Sequence, residues 1–180
     1  MKANIPGIRV ARKVIGRIVS PVRKPAGSPP GTLIHTGPRK VEDVRVHRLS
    51  YGPDHLEERT DDELTPLLPD PDDTGVKWVN VDGLHRTDML EELDGRYGIH
   101  RLVLEDVLST HQRPKTEAYG GYFFVVLRML TFDEETSSVT AEQVSLIVMD
   151  DLLISFQERP GDVFEPVRER LRHAKGRIRS

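Results

Sequence analysis

The sequence predicts an α/β fold: a mixed, partly antiparallel sheet flanked by helices as an α/β/α sandwich, ending in an amphipathic helix. Three observations support this prediction. Apolar runs of strand length are interleaved with helical segments between residues 76 and 179. Two of the strands are separated by only Asp150 and Asp151, the spacing of a tight hairpin. Frequent hairpins exclude a purely parallel, Rossmann-type sheet.

The beginning of the chain differs in charge and composition from the remainder. Residues 21–31 are rich in proline and glycine, so this segment is a poor candidate for a helix or a strand. Residues 1–41 contain basic side chains and no acidic one: Lys2, Arg9, Arg12, Lys13, Arg17, Arg23, Lys24, Arg39 and Lys40. We therefore expect residues 1–31 to form a flexible basic arm and residues 32–180 to form the folded domain. Acidic lipid head groups or a neighbouring subunit are the surfaces that such an arm would contact.

Residues 32–73 are expected to contribute two strands and one short helix. Thr32–His35 is a short strand candidate, and residues 41–49 alternate apolar and polar side chains as a second strand. Thr60 is placed to cap a helix over residues 61–67, and Glu63 would complete a capping box. The remaining acidic residues of this region are interpreted as solvated surface.

The middle of the chain predicts one strand and two helices. Val76–Val81 has strand character, and its Trp78 is assigned to the core. Residues 87–97 carry apolar side chains at helical spacing, and Gly98 is a suitable helix end. A second helix over residues 101–109 would bury the stripe formed by Val103, Leu104, Val107 and Leu108.

The last third of the chain predicts three strands and a long helix. Tyr122–Leu130 is almost continuously apolar, which is typical of a central strand covered on both faces. Residues 143–149 and 152–156 form the predicted hairpin. Residues 162–179 are predicted to be one amphipathic helix with an apolar face of Val163, Phe164, Val167, Leu171, Ala174 and Ile178. The longest apolar run has far fewer than the roughly 20 residues of a membrane-spanning helix.

Several function classes lose support from the sequence. It contains no glycine-rich phosphate-binding motif, no GxSxG nucleophile motif and no cysteine. The seven histidines form no HExxH or HxxxH pair, so we expect them to be surface or capping residues. A net charge of −3 gives no general argument for nucleic-acid binding. We therefore predict that the protein is not an enzyme and binds no organic cofactor.

One acidic pair is a candidate metal site. Glu105 and Asp106 lie within the predicted helix 101–109, where adjacent side chains point about 100° apart. Both carboxylates can thus occupy the polar side while the apolar stripe is buried. Mg²⁺ commonly uses one or two protein carboxylates and keeps several waters. A solvated helix surface is the alternative interpretation of the same pattern.

The basic residues of the last helix admit two interpretations. Arg168, Arg170, Arg172, Lys175, Arg177 and Arg179 could form a nucleic-acid surface. Glu165 and Glu169 interrupt the positive charge, however, and no aromatic residue for base stacking follows Phe164. Positive charge near a helix C-terminus also favours the helix dipole. The structural interpretation is therefore favoured.

Five segments, in this order, resemble the cytoplasmic domain of the CorA family of magnesium channels: WVNVDGLHRTDML, YGIHRLVLEDVLSTHQRPK, YFFVVLRML, EQVSLIV and ISFQERPGDVFEPVRERLRHAKGRIR. They extend over residues 76–179, and PPGTLIHTG at residues 29–37 is similar to the family's first strand region. The resemblance implies a homopentameric inner-membrane channel for Mg²⁺ that also passes Co²⁺. It further implies a domain on the cytoplasmic side, followed by a stalk helix and two transmembrane helices that we expect to be missing from this chain.

The resemblance also assigns a role to the acidic pair. The family holds a regulatory Mg²⁺ between this domain and the stalk of a neighbouring subunit, and the LEDVL motif transfers that role to Asp106 first and Glu105 second. The ion would favour the closed state. Two alternatives remain open: a related zinc transporter, and a stand-alone binding module that uses the basic arm on nucleic acid.

Overall fold

One seven-stranded mixed sheet organises the chain. The structure is a computed structural model that describes residues 24, 26–69 and 73–179. The strands are β1 (Arg45–Tyr51), β2 (Leu56–Asp61), β3 (Val76–Asp82), β4 (Lys115–Tyr119), β5 (Tyr122–Asp133), β6 (Ser138–Val148) and β7 (Leu152–Gln157). The helices are α1 (Thr87–Tyr97), α2 (Arg101–Leu108) and α3 (Glu165–Arg172). The strand order is β2-β1-β3-β7-β6-β5-β4, with β3 and β7 parallel and every other neighbouring pair antiparallel.

The first face of the sheet is covered by α1 and α2. The bounds of α1 agree with the prediction, and α2 ends one residue before the predicted 109. Gly98 follows α1 with a φ of 64°, which glycine readily adopts. Their apolar stripes and the inward side chains of the strands form the main core, which includes Leu93, Leu104, Val107, Phe124, Ile147 and Phe156, each fully buried. Burial of this apolar area is the dominant favourable term in folding the domain.

The second face of the sheet is partly covered by α3. Leu171 of this helix packs with Leu49 and Trp78 in a smaller apolar cluster, to which Phe164 also contributes. The Trp78 and Phe164 rings meet edge to face, with centroids 5.9 Å apart. Helices therefore lie on both faces of the sheet, and the predicted mixed α/β/α arrangement is confirmed.

Two predictions about the first half of the domain are wrong. Residues 32–35 form no strand, although the Thr36 N–H donates to the Leu108 carbonyl and holds this segment against α2. Thr60 does not cap a helix, because it pairs with His47 in the antiparallel ladder between β1 and β2. Pairing with β1 overrides the local capping tendency, and the helix that follows is a single 3-10 turn, Thr65–Leu67.

The prediction that β5 is covered on both faces is also wrong. Tyr122, Phe124 and Val126 are buried beneath the helices, whereas Phe123 is 55% exposed and Leu127 is 41% exposed on the other face. The strand lies next to the edge strand β4, which the sequence analysis did not predict. Since α3 packs over β1 and β3, the apolar side chains on that face of β5 remain accessible.

The predicted helix over residues 162–179 is much shorter than expected. It begins at Glu165 and ends at Arg172, and Ala174 adopts a positive φ of 48° just beyond it. The chain turns back beyond this residue, and the Arg179 side chain donates to the carbonyls of Leu171 and Arg172. Ile178 packs against the Leu49–Trp78 cluster although it lies outside the helix.

No helix among the described residues combines the length and the apolar character needed to cross a bilayer. The basic arm predicted over residues 1–31 lies mostly outside the described residues, which include only Lys24 and residues 26–31 of it.

Candidate functional site

The candidate site lies on α2, which is held by a capping residue at its start and by a buried apolar stripe. His100 precedes the helix and its Nδ1 accepts a hydrogen bond from the Leu102 N–H at 3.2 Å, so this histidine is a capping residue. Four apolar residues of α2 are buried against the sheet: Val103, Leu104, Val107 and Leu108. Burial of that stripe turns Glu105 and Asp106 toward the surface, where their side chains are 20% and 24% exposed.

Asp106 is held by residues that follow α2 in the chain. Its Oδ2 lies 2.6 Å from the Lys115 ammonium, and its Oδ1 accepts a hydrogen bond of 2.7 Å from the Gln112 amide. Lys115 also contacts Glu117 at 3.0 Å, so the lysine bridges two carboxylates. The Asp106 carboxylate is thereby fixed in orientation and neutralised by a cation that begins β4.

Glu105 is held by the opposite end of the chain. Its Oε1 lies 2.6 Å from the Lys24 ammonium, and its Oε2 accepts a hydrogen bond from the Gly31 N–H. Burial acts to raise the pKa of Glu105, but the hydrogen bonds from Lys24 and Gly31 outweigh it and lower the pKa below the ordinary value. The carboxylate is therefore ionised, and its counter-ion comes from the segment preceding the folded domain.

Each of the two carboxylates predicted to bind a metal ion thus already has a lysine partner. Among residues 24, 26–69 and 73–179, no group of three or more histidine, aspartate or glutamate side chains could hold a metal ion. Mg²⁺ requires near-octahedral oxygen coordination and keeps several waters when few protein ligands are present. The Glu105–Asp106 pair is suited to donating one or two of those ligands at the domain surface.

Sequence patterns indicated the two carboxylates but not their partners. Gln112 and Lys115 lie within the HQRPK segment that immediately follows α2, so their proximity to Asp106 had a signal in the chain. Lys24 had no such signal, because it precedes Glu105 by 81 residues in the chain. Its contact depends on the path of the segment around Gly31, which Arg101 also holds by donating to the Gly31 carbonyl at 3.3 Å.

The basic residues around the last helix have mostly structural contacts. Arg168 pairs with the buried Asp162, and its guanidinium lies 4.7 Å from the centre of the Trp78 ring. Arg172 contacts Glu58 of β2 and Glu165 of its own helix. These contacts attach α3 to the sheet and support the structural interpretation of its positive charge.

A second feature of the surface is a cavity of about 430 Å³ lined by Arg39, Lys40, Val41 and Glu42. Its two cations have partners within the protein. Arg39 donates to the Val41 carbonyl, and Lys40 forms a 2.8 Å ion pair with Glu158, whose side chain is only 5% exposed. The cavity does not include Glu105 or Asp106, so we do not assign it to their site.

Solved structures define the class of domain. The cytoplasmic domain of ZntB from Vibrio parahaemolyticus matches with a TM-score of 0.53 and 18% identity, covering 74% of this chain and 52% of that one. The full-length CmaX protein matches with a TM-score of 0.53 and 17% identity, covering 73% of this chain and 39% of that one. At this level of identity the likeness establishes the fold: a helix-flanked mixed sheet shared with these two proteins.

Sequence comparison then gives the family. The model of the family described as CorA-like Mg²⁺ transporter protein matches residues 73–180. The cobalt/magnesium transport protein CorA of Thermotoga maritima is 43% identical over 153 residues, which cover 85% of this chain and 43% of that relative. This chain therefore belongs to the CorA-like Mg²⁺ transporter family, and it spans less than half the length of that relative.

Proposed function

We propose that this chain is the cytoplasmic, metal-sensing domain of a CorA-type channel for Mg²⁺ and Co²⁺. The observation that supports the proposal is the position of Glu105 and Asp106 on the exposed side of α2. The main core fixes the helix beneath them, and hydrogen bonds fix the carboxylates themselves. Oxygen ligands on a rigid element suit a hard divalent cation. The resemblance in the LEDVL segment assigns the regulatory ion to the same two residues.

In this proposal the ion binds between two subunits. Asp106 is the first ligand and Glu105 the second, while waters and carboxylates of a neighbouring subunit's stalk complete the coordination sphere. Carboxylates facing one another across an interface repel, and a bound divalent cation reverses the sign of that interaction. A high internal Mg²⁺ concentration would hold the subunits in the closed arrangement, and loss of the ion would release them.

The complete transporter in this proposal is a homopentamer in the cell inner membrane. This domain lies on its cytoplasmic side, and helices that follow the chain enter the membrane. The basic arm, residues 1–31, contacts lipid head groups or a neighbouring subunit. The proposal requires neither catalysis nor an organic cofactor, and it assigns no nucleic acid as a partner.

The deciding experiment measures Mg²⁺ inhibition of transport by the complete protein. Asp106→Asn should keep conducting at internal Mg²⁺ concentrations that close the wild type, because the amide removes the anionic ligand. Asp150→Asn is the matched control, since Asp150 is exposed in the turn between β6 and β7. Wild-type inhibition in Asp106→Asn would refute the role of this residue.

Two further measurements test the alternatives. Zn²⁺ transport that exceeds Mg²⁺ and Co²⁺ transport in the same assay would favour a related zinc transporter. The coding sequence after Ser180 tests the stand-alone module: the proposal expects a stalk, two apolar spans and a Gly-Met-Asn segment. The 43% identity with a cobalt/magnesium transport protein supports the proposed Mg²⁺ and Co²⁺ channel over the zinc transporter.

A further inference from the structure

Lys24 makes the contact that connects the segment before the domain to the candidate metal site. Its ammonium lies 2.6 Å from Glu105 Oε1 and donates a second hydrogen bond of 3.1 Å to the Thr32 carbonyl. The Lys24 side chain is 22% exposed and that of Glu105 is 20% exposed, so the pair is partly shielded from water. Shielding strengthens the attraction relative to a fully exposed pair.

A divalent cation cannot simply be added to this arrangement. A Mg²⁺ ligand oxygen lies about 2.1 Å from the ion, so an ion bound at Glu105 Oε1 would share the space that Lys24 occupies. The other oxygen of the carboxylate is engaged by the Gly31 N–H. An ammonium and a divalent ion on one carboxylate also repel each other strongly. Binding of the ion through Glu105 therefore competes with the Lys24 ion pair.

We propose that Lys24 competes with divalent cations for Glu105 and so sets the ion concentration at which the Glu105–Asp106 site fills. This inference rests on the proposed function of that site. It adds that Lys24, a residue of the same chain, competes with the ion. At low Mg²⁺, the ammonium takes the place of the ion and ties the segment around Gly31 to α2. When the ion binds, the Lys24 side chain is displaced and the segment loses one of its attachments to the domain.

The contact has a direct consequence for affinity. Every binding event through Glu105 must include the free-energy cost of breaking the ion pair, so the apparent affinity for the ion is lower than the carboxylates alone would give. Removing the charge of Lys24 should therefore tighten Mg²⁺ binding. The ion pair between Asp106 and Lys115 does not involve Lys24, so it is present in the wild type and in every Lys24 variant. Differences in affinity among these proteins therefore report on Lys24.

The test is a Mg²⁺ titration of the 180-residue chain followed by the amide NMR signals of α2 and Gly31. Lys24→Gln removes the charge while its amide can still donate to the Thr32 carbonyl. Lys24→Arg retains the charge, and Lys175→Gln makes the same change in net charge at an exposed residue beyond α3. Lys24→Gln should lower the apparent Kd for Mg²⁺ by roughly threefold to tenfold, and the other two variants should remain close to the wild type.

The outcomes separate this inference from the proposed function. If the wild type binds Mg²⁺ and Asp106→Asn abolishes binding, but Lys24→Gln has the wild-type Kd or a weaker one, the competition is refuted and the metal site remains. If Lys175→Gln tightens binding as much as Lys24→Gln, general electrostatics accounts for the effect and the competition is again refuted. Absence of saturable Mg²⁺ signals at α2 in all variants of the 180-residue chain would overturn the competition in this chain. The same titration of the complete protein, which adds the stalk carboxylates, then tests the metal site, and absence of saturable binding there would overturn it.

Discussion

The ammonium of Lys115 lies 2.6 Å from Oδ2 of Asp106, so the carboxylate that the sequence assigns to a metal ion is already part of an ion pair. The same ammonium contacts Glu117 at 3.0 Å and lies 5.3 Å from the centre of the Phe124 ring. Lys115 begins β4, whereas Asp106 lies on α2. The pair therefore joins the helix that carries the candidate site to the edge of the sheet.

Removing this lysine should destabilise the domain modestly. We expect Lys115→Gln to lower the free energy of unfolding by about 0.5–1 kcal/mol, because a partly exposed ion pair contributes little more than that. Urea denaturation measures the change, with Lys175→Gln as a control for the loss of one surface charge. Equal stabilities of the two variants would contradict a contribution of the Lys115–Asp106 pair to the stability of the fold.

The buried pair between Arg168 and Asp162 should contribute far more. Their side chains are 9% and 4% exposed, and Arg168 donates to both carboxylate oxygens of Asp162. Arg168→Met leaves the Asp162 charge without its main partner, so we expect a loss of about 3 kcal/mol in urea denaturation. Arg170→Met, on the exposed side of the same helix, should change stability by less than about 0.5 kcal/mol. A small loss for Arg168→Met would contradict its role in attaching α3.

Two glycines, one near the end of α1 and one directly after it, should respond to alanine in opposite directions. Gly95 lies in the helix interior, and a Cβ added there would meet no atom within 4 Å, so Gly95→Ala should stabilise by about 0.5–1 kcal/mol. Gly98 has a φ of 64° at the helix end, and Gly98→Ala should destabilise by about 1 kcal/mol. Thermal denaturation of both variants checks the pair, and a shift of the same sign in both would contradict the assigned helix end.

His35 should make the stability of the domain depend on pH. Burial lowers its pKa below the ordinary 6.5, with smaller contributions from His85 and Lys40, although Glu158 acts in the opposite direction. Because the folded state holds this proton less tightly than the unfolded state, the contribution of His35 is present above about pH 6.5. This contribution to stability is lost as the pH falls from about 6.5 through the lower pKa of His35 in the folded state.

The variant His35→Gln tests this dependence. In urea denaturation, the wild type should lose stability relative to the variant as the pH falls from about 7.5 to about 5. The comparison between the two proteins cancels the titration of groups that the substitution does not affect. Parallel stability curves over this pH range would contradict a lowered pKa at His35.

Local patterns predicted several elements of this fold correctly. The boundaries of α1 follow from its apolar spacing and from Gly98, and the β6–β7 hairpin follows from the turn residues Asp150 and Asp151 between its strands. Predictions failed where distant pairing decided the outcome. Thr60 has the sequence of a helix cap, yet it lies in β2 because β1 offers a ladder of backbone hydrogen bonds along six residues.

By itself, the sequence determined the family, the mixed α/β fold and the side of α2 on which Glu105 and Asp106 lie, because these depend on motif order and on local periodicity. Only the tertiary structure decided that Lys24 and Lys115 neutralise the two carboxylates, since each pair joins separate elements. It also decided that Phe123 is exposed, because the cover over a strand depends on where α3 packs. A side chain's spacing along the chain determines which face it occupies, whereas the three-dimensional path of the chain determines what it contacts.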